Sequence, residues 1–192
     1  MNIFTFKAFD QIPKHLQSEA EAGKKLAFHE DEALNTQQKR QTHEDKFCSQ
    51  LDRFKYLLAF DSKHVVGGIT LLRRETQFEG HRLLVGGIGG VWTRSEYQNQ
   101  KIASSLLQKS MVILKDKGVD IAYLCTDIEN PARLHLYGKI GFVPLYKPHT
   151  YVGKSGRRYN DDDGMIAPVC SLTMFKKIME NESPLDLGVG NW

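Results

Sequence analysis

The residues best placed for chemistry stand where an apolar, glycine-rich segment meets a helix. Val91-Trp92-Thr93 closes that segment, and Arg94-Ser95-Glu96-Tyr97-Gln98-Asn99-Gln100-Lys101 leads directly into a strongly patterned helix at Ile102. A short strand-to-helix connection gathers free backbone N–H groups at the positive end of a helix dipole, and phosphate oxygens bind well there. The same stretch also serves as a plain connecting loop, so residue types alone leave both readings open. Other chemistries fail on spacing. No H-E-x-x-H is present and the seven histidines form no ligand spacing, so no metal site is expected. Gly153-Lys154-Ser155 imitates the end of a phosphate-binding P-loop, but the position of its first glycine is Pro148. Gly86-Gly87-Ile88-Gly89-Gly90 does not match G-x-G-x-x-G, and Asp161-Asp162-Asp163-Gly164 lacks the alternating acids of a calcium loop. Cys48, Cys125 and Cys170 are widely spaced and odd in number, with no basic partner at a recognisable spacing. They read as reduced thiols and not as nucleophiles.

Positioning these residues takes a mixed set of elements. Asn2 to Ala8 alternates as an opening strand, and Gln11 to about Cys48 reads as one or two short amphipathic helices with a solvated charged face. Phe54 to Phe60 and Val65 to Leu72 flank Asp61-Ser62-Lys63-His64 as a hairpin. Arg82 to Thr93 is the next strand, and its four glycines predict a bulge or a surface that something approaches closely. The spacing of Ala103, Leu107, Met111 and Leu114 predicts a helix over Ile102 to Lys117, with Gly118 as a left-handed cap. Ile121 to Thr126 reads as a buried strand. Asn130-Pro131 supplies the N-cap and first position of a short helix ended by Gly141. Phe142 to Tyr146 and Met165 to Cys170 read as later strands, giving an α/β (α+β) class with a mixed sheet.

Composition narrows the setting. The chain has 192 residues, a length that fits a single domain over 1–192. With 41% hydrophobic residues it can bury a core, and Lys+Arg 26 against Asp+Glu 23 is too balanced to suggest nucleic acid. The longest apolar-plus-glycine run, Leu83 to Trp92, is about half of the ~20 residues a membrane span needs. Lys7, Asp10 and Lys14 interrupt any secretory h-region, so neither nucleic acid nor membrane is expected as a partner, and the location is expected to be cytoplasmic.

Two segments carry a family resemblance. Tyr97-Gln98-Asn99-Gln100-Lys101-Ile102-Ala103 resembles the (Arg/Gln)-x-x-Gly-x-(Gly/Ala) pyrophosphate loop of the GNAT family of N-acetyltransferases. Asn130-Pro131-Ala132-Arg133-Leu134-His135-Leu136-Tyr137 through Gly141-Phe142 is similar to that family's N-x-x-A-x-x-L-Y-x-x-x-G-F segment. The resemblance implies a mostly antiparallel central sheet, flanked by helices and splayed where the pantetheine arm of acetyl-CoA lies. Gln98, Asn99, Gln100, Lys101, Ile102 and Ala103 would then offer amides to the pyrophosphate, with Ser104 close by. Val91, Trp92 and Thr93 would pair with pantetheine through main-chain atoms, and Asn130 would sit near the arm. Tyr137 would protonate the leaving CoA thiolate. Two departures stand out: Lys101 replaces the usual Gly, and no carboxylate stands near Gly89, where many relatives keep a Glu general base.

A second resemblance lies in the tail. Asp161-Asp162-Asp163-Gly164-Met165 and Gly188-Val189-Gly190-Asn191-Trp192 are similar to segments of the aminoglycoside acetyltransferases that modify the 2′ amino group. It implies that Asp161, Asp162 and Asp163 bind a cationic acceptor, and that a free Trp192 carboxylate binds the amine or relays its proton. The expectation is direct acetyl transfer from acetyl-CoA to a primary amine of a small cationic molecule, possessed by a chain whose relatives are often homodimers. A non-catalytic acyl-CoA sensor and a protein or peptide N-acetyltransferase are the alternatives.

Overall fold

The alternating apolar pattern lays down a strand framework first. In the computed structural model, which describes residues 3–28, 37–47 and 52–192, the strands are β1 (Thr5–Phe9), β2 (Arg53–Asp61), β3 (His64–Phe78), β4 (His81–Thr93), β5 (Ile121–Cys125), β6 (Val143–Pro144), β7 (His149–Val152), β8 (Arg158–Asp161), β9 (Gly164–Pro168) and β10 (Leu185–Val189). The helices are α1 (Lys14–Ala27), α2 (Gln37–Lys46), α3 (Ile102–Asp116), α4 (Pro131–Gly138) and α5 (Leu172–Glu180). Seven strands form one sheet in the order β1-β2-β3-β4-β5-β9-β6, and β10-β7-β8 form a second. Within the large sheet only β4 and β5 run parallel. The mixed, mostly antiparallel, helix-flanked architecture expected from the sequence is the one observed.

The parallel pair is short. Val85, Gly86 and Gly87 pair with Ile121, Ala122 and Tyr123, after which β4 continues to Thr93 and β5 to Cys125 with no ladder between them. Beyond Gly87 β4 stays paired with β3, through a bulge between Gly68/Trp92 and Thr70/Gly89 in which Gly90 has φ +57°. A bulge increases local twist and bends its strand, which opens a fork between β4 and β5. Both readings of the glycine-rich strand hold, since Gly86 and Gly87 lie under close contacts. A Cβ at Gly86 would stand 2.7 Å from Leu114 Cδ2, and one at Gly87 would overlap the Trp192 indole.

The two faces of the sheet bury different partners. Leu57, Leu71, Leu84 and Ile88 pack with Ile102, Leu106, Leu107 and Leu114 of α3 and Tyr137 of α4. On the other face, Val85, Tyr123 and Ile166 pack with Tyr151, Leu185, Leu187 and Trp192. Ala20 of α1 joins Leu58, Phe60, Val65 and Trp92 in a third cluster.

Several boundaries differ from the sequence-based expectation. β3 runs six residues past Leu72, because Glu79 (φ +49°) and Gly80 (φ +73°) make a two-residue turn with both central residues left-handed. That turn suits the strand twist and carries Arg73–Phe78 into pairing with His81–Gly86. The strand expected over Phe142 to Tyr146 shrinks to Val143–Pro144, and the one expected over Met165 to Cys170 is Gly164–Pro168. Helix α4 ends at Gly138, three residues before Gly141. On α3 the buried residues are Ile102, Leu106, Leu107, Ser110 and Leu114, so Leu107 and Leu114 of the expected face are buried while Ala103 and Met111 are only partly so. Ser110 is tolerated there because its hydroxyl donates to Leu106 O (2.8 Å). β7, β8, α5 and β10 were not anticipated. Asn2 and Cys48, the expected limits of the first strand and of the helical segment, lie outside the described residues. No helix among the described residues is long and apolar enough to cross a membrane.

Candidate active site

The connection from β4 to α3 is shaped by two left-handed residues, Asn99 (φ +61°) and Lys101 (φ +63°). Lys101 thus occupies the left-handed region that favours glycine, the usual residue at this position of the loop it resembles. For a lysine the left-handed region costs about 1 kcal/mol or more. Lys101 is the N-cap of α3 but offers no side-chain cap. The first bond into the helix runs from Ser105 N–H to Lys101 O (3.0 Å), so the amides of Ile102, Ala103 and Ser104 point out of the helix end. Ser104 Oγ donates to the same Lys101 oxygen (2.9 Å).

These amides open onto a cavity of about 420 Å³ that follows the β4 side of the fork. Of the expected cofactor residues, Val91, Trp92, Thr93, Gln98, Asn99, Lys101, Ile102, Ala103 and Ser104 line it, together with Tyr137. Gln100 does not, and its amide donates to Glu96 O (3.3 Å). The Trp92 indole is buried with Ala20, Leu58 and Phe60, where a Cβ at Gly68 would lie 2.7 Å from Nε1. Thr93 Oγ1 is buried without a partner on this wall.

Asn130 is not part of the lining either. Its Oδ1 accepts from Ala132 N (3.0 Å) and Arg133 N (3.3 Å), capping α4 ahead of Pro131. Its effect on the site is therefore to fix the helix that carries Tyr137. Tyr137 is buried, edge-on to Phe142 at 6.2 Å. Burial pushes its phenol above the ordinary tyrosine range, while the Arg133 guanidinium and a hydrogen bond with the Thr126 side chain work the other way. The phenol is thus protonated at neutral pH, the state a proton donor needs.

On the other side of the fork sits a polar cluster, only part of which the sequence announced. Asp161 ends β8, where Lys46 Nζ donates to it (2.9 Å) and the Tyr151 hydroxyl also donates. Burial pushes its carboxyl up, but the Tyr151 and Lys46 hydrogen bonds outweigh it and hold the group below the ordinary aspartate value. Asp162 is exposed. Asp163 accepts from Cys125 Sγ (2.9 Å), and its backbone oxygen accepts from Thr126 N–H (3.0 Å). Burial and the neighbouring Asp163 push the Cys125 thiol up, away from thiolate. His149 Nε2 lies 3.7 Å from Asp163 Oδ1.

The tail closes this side. Gly190 N–H donates to Val152 O (2.8 Å) and Asn191 N–H to Lys46 O (2.7 Å), clamping the segment between α2 and β7. Asn191 Oδ1 accepts from the Tyr123 hydroxyl (3.2 Å) and from Trp192 N–H (2.8 Å). The Trp192 indole fills the space over Gly87 under the Arg74 guanidinium, 4.6 Å from its ring. Its main-chain carbonyl carbon is 3.8 Å from where a Cβ on Gly89 would stand. The tail and Asp163 meet the same strand, Asn191 bonding Tyr123 and Asp163 bonding Cys125. Sequence reasoning missed Lys46, Thr126 and His149, which carry no local pattern.

The profile of the Acetyltransferase (GNAT) domain matches residues 19–145. N-alpha-acetyltransferase 30 of Schizosaccharomyces pombe is 25% identical over 108 residues, covering 55% of this chain and 67% of its own. A GNAT family acetyltransferase from Brucella melitensis, solved in complex with acetyl-CoA, superposes with TM-score 0.53 at 17% identity over 74% of this chain and 84% of that one. A GCN5-related N-acetyltransferase from Anabaena variabilis superposes with TM-score 0.54 at 16% identity over 76% of this chain, which spans only 34% of that longer protein. The forked sheet, the open helix end and a domain match over well above half of the residues agree: the chain belongs to the GNAT family of acetyltransferases.

Proposed function

We propose that this protein, as one GNAT domain over 1–192, transfers the acetyl group of acetyl-CoA to a primary amine of a small cationic acceptor. The observation that carries this reading is the fork itself. Its β4 side offers unpaired backbone and helix-end amides beside a protonated phenol, and its β5 side offers carboxylates. In this reading the amides of Gln98 to Ser104 hold the pyrophosphate, with Lys101 adding a positive charge. The pantetheine arm pairs with the free edge of Val91 to Thr93, and Thr93 Oγ1 gains a partner there.

The acetyl carbonyl then lies in the fork, where a backbone N–H of 91–93 stabilises the oxyanion formed on attack. Tyr137 gives its proton to the departing sulfur. A thiol of ordinary pKa near 8.5 leaves readily, so a phenol is an adequate acid. Asp161, Asp162 and Asp163 attract the acceptor's ammonium, since clustered carboxylates focus field on cations. Main-chain oxygen of Trp192 beside Gly89 adds an acceptor where the family's Glu is missing.

A second reading, acetylation of a protein N-terminus, is favoured by the likeness to the yeast N-alpha-acetyltransferase. One assay separates them: CoA thiol release from acetyl-CoA with spermidine, kanamycin or an unblocked tetrapeptide as acceptor. Turnover with the polyamine or aminoglycoside supports the small-molecule reading, and turnover with the peptide alone replaces it. In either case Tyr137→Phe is expected to lower kcat by about 100-fold with KM for acetyl-CoA unchanged. An unaltered kcat removes Tyr137 from its role.

A further inference from the structure

His149 is fully buried, edge-on to Tyr123 at 5.4 Å and stacked on Tyr151 at 6.2 Å. Neither of its ring nitrogens has a hydrogen-bond partner. Leaving a buried polar atom unpaired costs on the order of 1–3 kcal/mol. The acid nearest to it is in the same condition: Asp163 Oδ1 is buried without a partner, 3.7 Å from His149 Nε2. Two unsatisfied groups, a ring nitrogen and a carboxylate oxygen, therefore face each other. A proton on the imidazole turns the pair into an ion pair and satisfies both.

A metal fits the same gap less well. His149, Asp161 and Asp163 offer donors within 4.8 Å of one another. Lys46 already supplies the positive charge at Asp161. No acceptor stands behind His149 Nδ1 to fix the tautomer of a ligating imidazole.

The missing proton has an obvious source. The Asp163 side chain is 41% exposed, while His149 behind it has no exposed surface. The Asp163 backbone is bonded to Thr126, whose side chain reaches Tyr137. Asp163 thus stands at the fork, on the face opposite the cavity. An amine arrives at neutral pH as an ammonium and must lose a proton before it attacks a carbonyl. Resting on the acetyltransferase reading, we propose that Asp163 takes this proton from the acceptor's ammonium and that His149 is the positioning residue that draws it inward and stores it.

The step balances. The ammonium proton passes to an Asp163 carboxylate oxygen and on to His149 Nε2. The freed nitrogen lone pair attacks the thioester carbonyl carbon, the C–N bond forms and the C–S bond breaks. Sulfur takes the Tyr137 proton, and the excess proton on the new amide nitrogen returns to the phenolate. One net proton is left on His149 and is released to solvent between turnovers.

The groups facing His149 set the pH at which this works. Tyr123 of β5 and Tyr151 of β7 flank it as neutral rings, and Cys125, held as the thiol, bonds the Asp163 that faces it. Asp161, Asp162 and Asp163 favour its cation, and Lys46 opposes it. Burial outweighs the acids and pushes the imidazole below its ordinary value. His149 is then neutral at pH 7 and fills with a proton only in more acidic solution, so turnover falls as pH drops through its pKa.

The test is the pH dependence of kcat and kcat/KM for the full chain, with whichever of spermidine, kanamycin and tetrapeptide turns over. The wild type is expected to show an acidic limb with an apparent pKa below the ordinary histidine value of about 6.5. His149→Gln is expected to erase that limb and lower kcat at pH 7.5 by about 100-fold, with KM for acetyl-CoA unchanged. A folded His149→Gln that keeps the limb, with kcat within about threefold of wild type, overturns the assignment while the acetyltransferase reading stands. If that variant does not fold, Asp163→Asn decides: a limb moved to lower pH with reduced kcat supports the pair, and an unmoved limb overturns it. A wild-type chain that binds acetyl-CoA and acetylates none of the amines overturns the transferase reading and this one together.

Discussion

Replacing Gly87 with Ala tests the contact that joins the glycine-rich strand to the tail. The new Cβ would overlap the Trp192 indole, which is buried and lies 4.6 Å from the Arg74 guanidinium on its other side. Two responses compete. Expelling the ring forfeits burial of roughly 150–250 Å² at ~25 cal/mol per Å², about 4–6 kcal/mol. Keeping it in place overpacks the site, at about 1–3 kcal/mol. The cheaper response wins, so Gly87→Ala is expected to lose about 1.5 kcal/mol after the ~0.5 kcal/mol that Ala gains by restricting the unfolded chain. For a chain of this size that is about 3–6 °C in Tm. Gly89→Ala is the control, because its Cβ meets Leu72 Cδ1 at 3.4 Å and the Trp192 carbonyl carbon at 3.8 Å, ordinary contacts. Thermal unfolding of both variants, alone and in a Trp192→Ala background, measures the coupling. The reasoning is refuted if Gly87→Ala is as benign as Gly89→Ala, or equally damaging with the indole gone.

Lys101→Gly removes left-handed strain of about 1 kcal/mol at φ +63° but frees the unfolded chain by ~0.5 kcal/mol, so it is expected to raise Tm by about 1–2 °C, while weakening acetyl-CoA binding through the lost charge. Calorimetric titration beside a melting curve checks both signs. Asn130→Ala deletes the cap on α4 and is expected to lose about 1 kcal/mol by denaturant unfolding, with kcat falling as Tyr137 loses its fixed helix. Cys125→Ser keeps a donor to Asp163 and is expected to retain turnover within about tenfold, whereas a cysteine nucleophile would lose it by orders of magnitude.

The parts of this molecule that were legible are those written in local spacing. Helix α3 and its Gly118 cap, the β2–β3 hairpin and the Asn130-Pro131 start of α4 each depend on residues within a few positions of one another. The glycine strand announced both its bulge and its close contacts, though not that Trp192 makes one of them. The second sheet was out of reach for a physical reason: β7 has four residues and pairs in parallel with β10, Leu185 opposite His149. No periodicity of that length separates strand from loop, and its register is set by the Gly190 and Asn191 clamps. α5 was different, since Ser171 caps it by accepting from Met174 N–H (3.1 Å) ahead of an amphipathic run, and that signal was present to be read. His149 carries no signal at all, because a lone histidine between Pro148 and Thr150 acquires meaning only when the fold sets Asp163 against it.

Strand β5 separates the groups to which the proposed acid and base roles fall. Successive strand residues point to opposite faces. Tyr123 and Cys125 face the buried aromatic cluster and Asp163, while Leu124 and the following Thr126 face α4 and Tyr137. The strand therefore acts as a partition one residue thick. A protonated phenol sits on one side, and a carboxylate with an unprotonated imidazole on the other. Beyond Gly87 β4 and β5 have no ladder between them, so both faces of β5 open onto the fork there. In the proposed reaction the fork serves direct attack, with amine entering from one face and thiolate leaving on the other. It also leaves Cys125 no part as nucleophile, because burial and Asp163 hold it as the thiol and only a thiolate attacks.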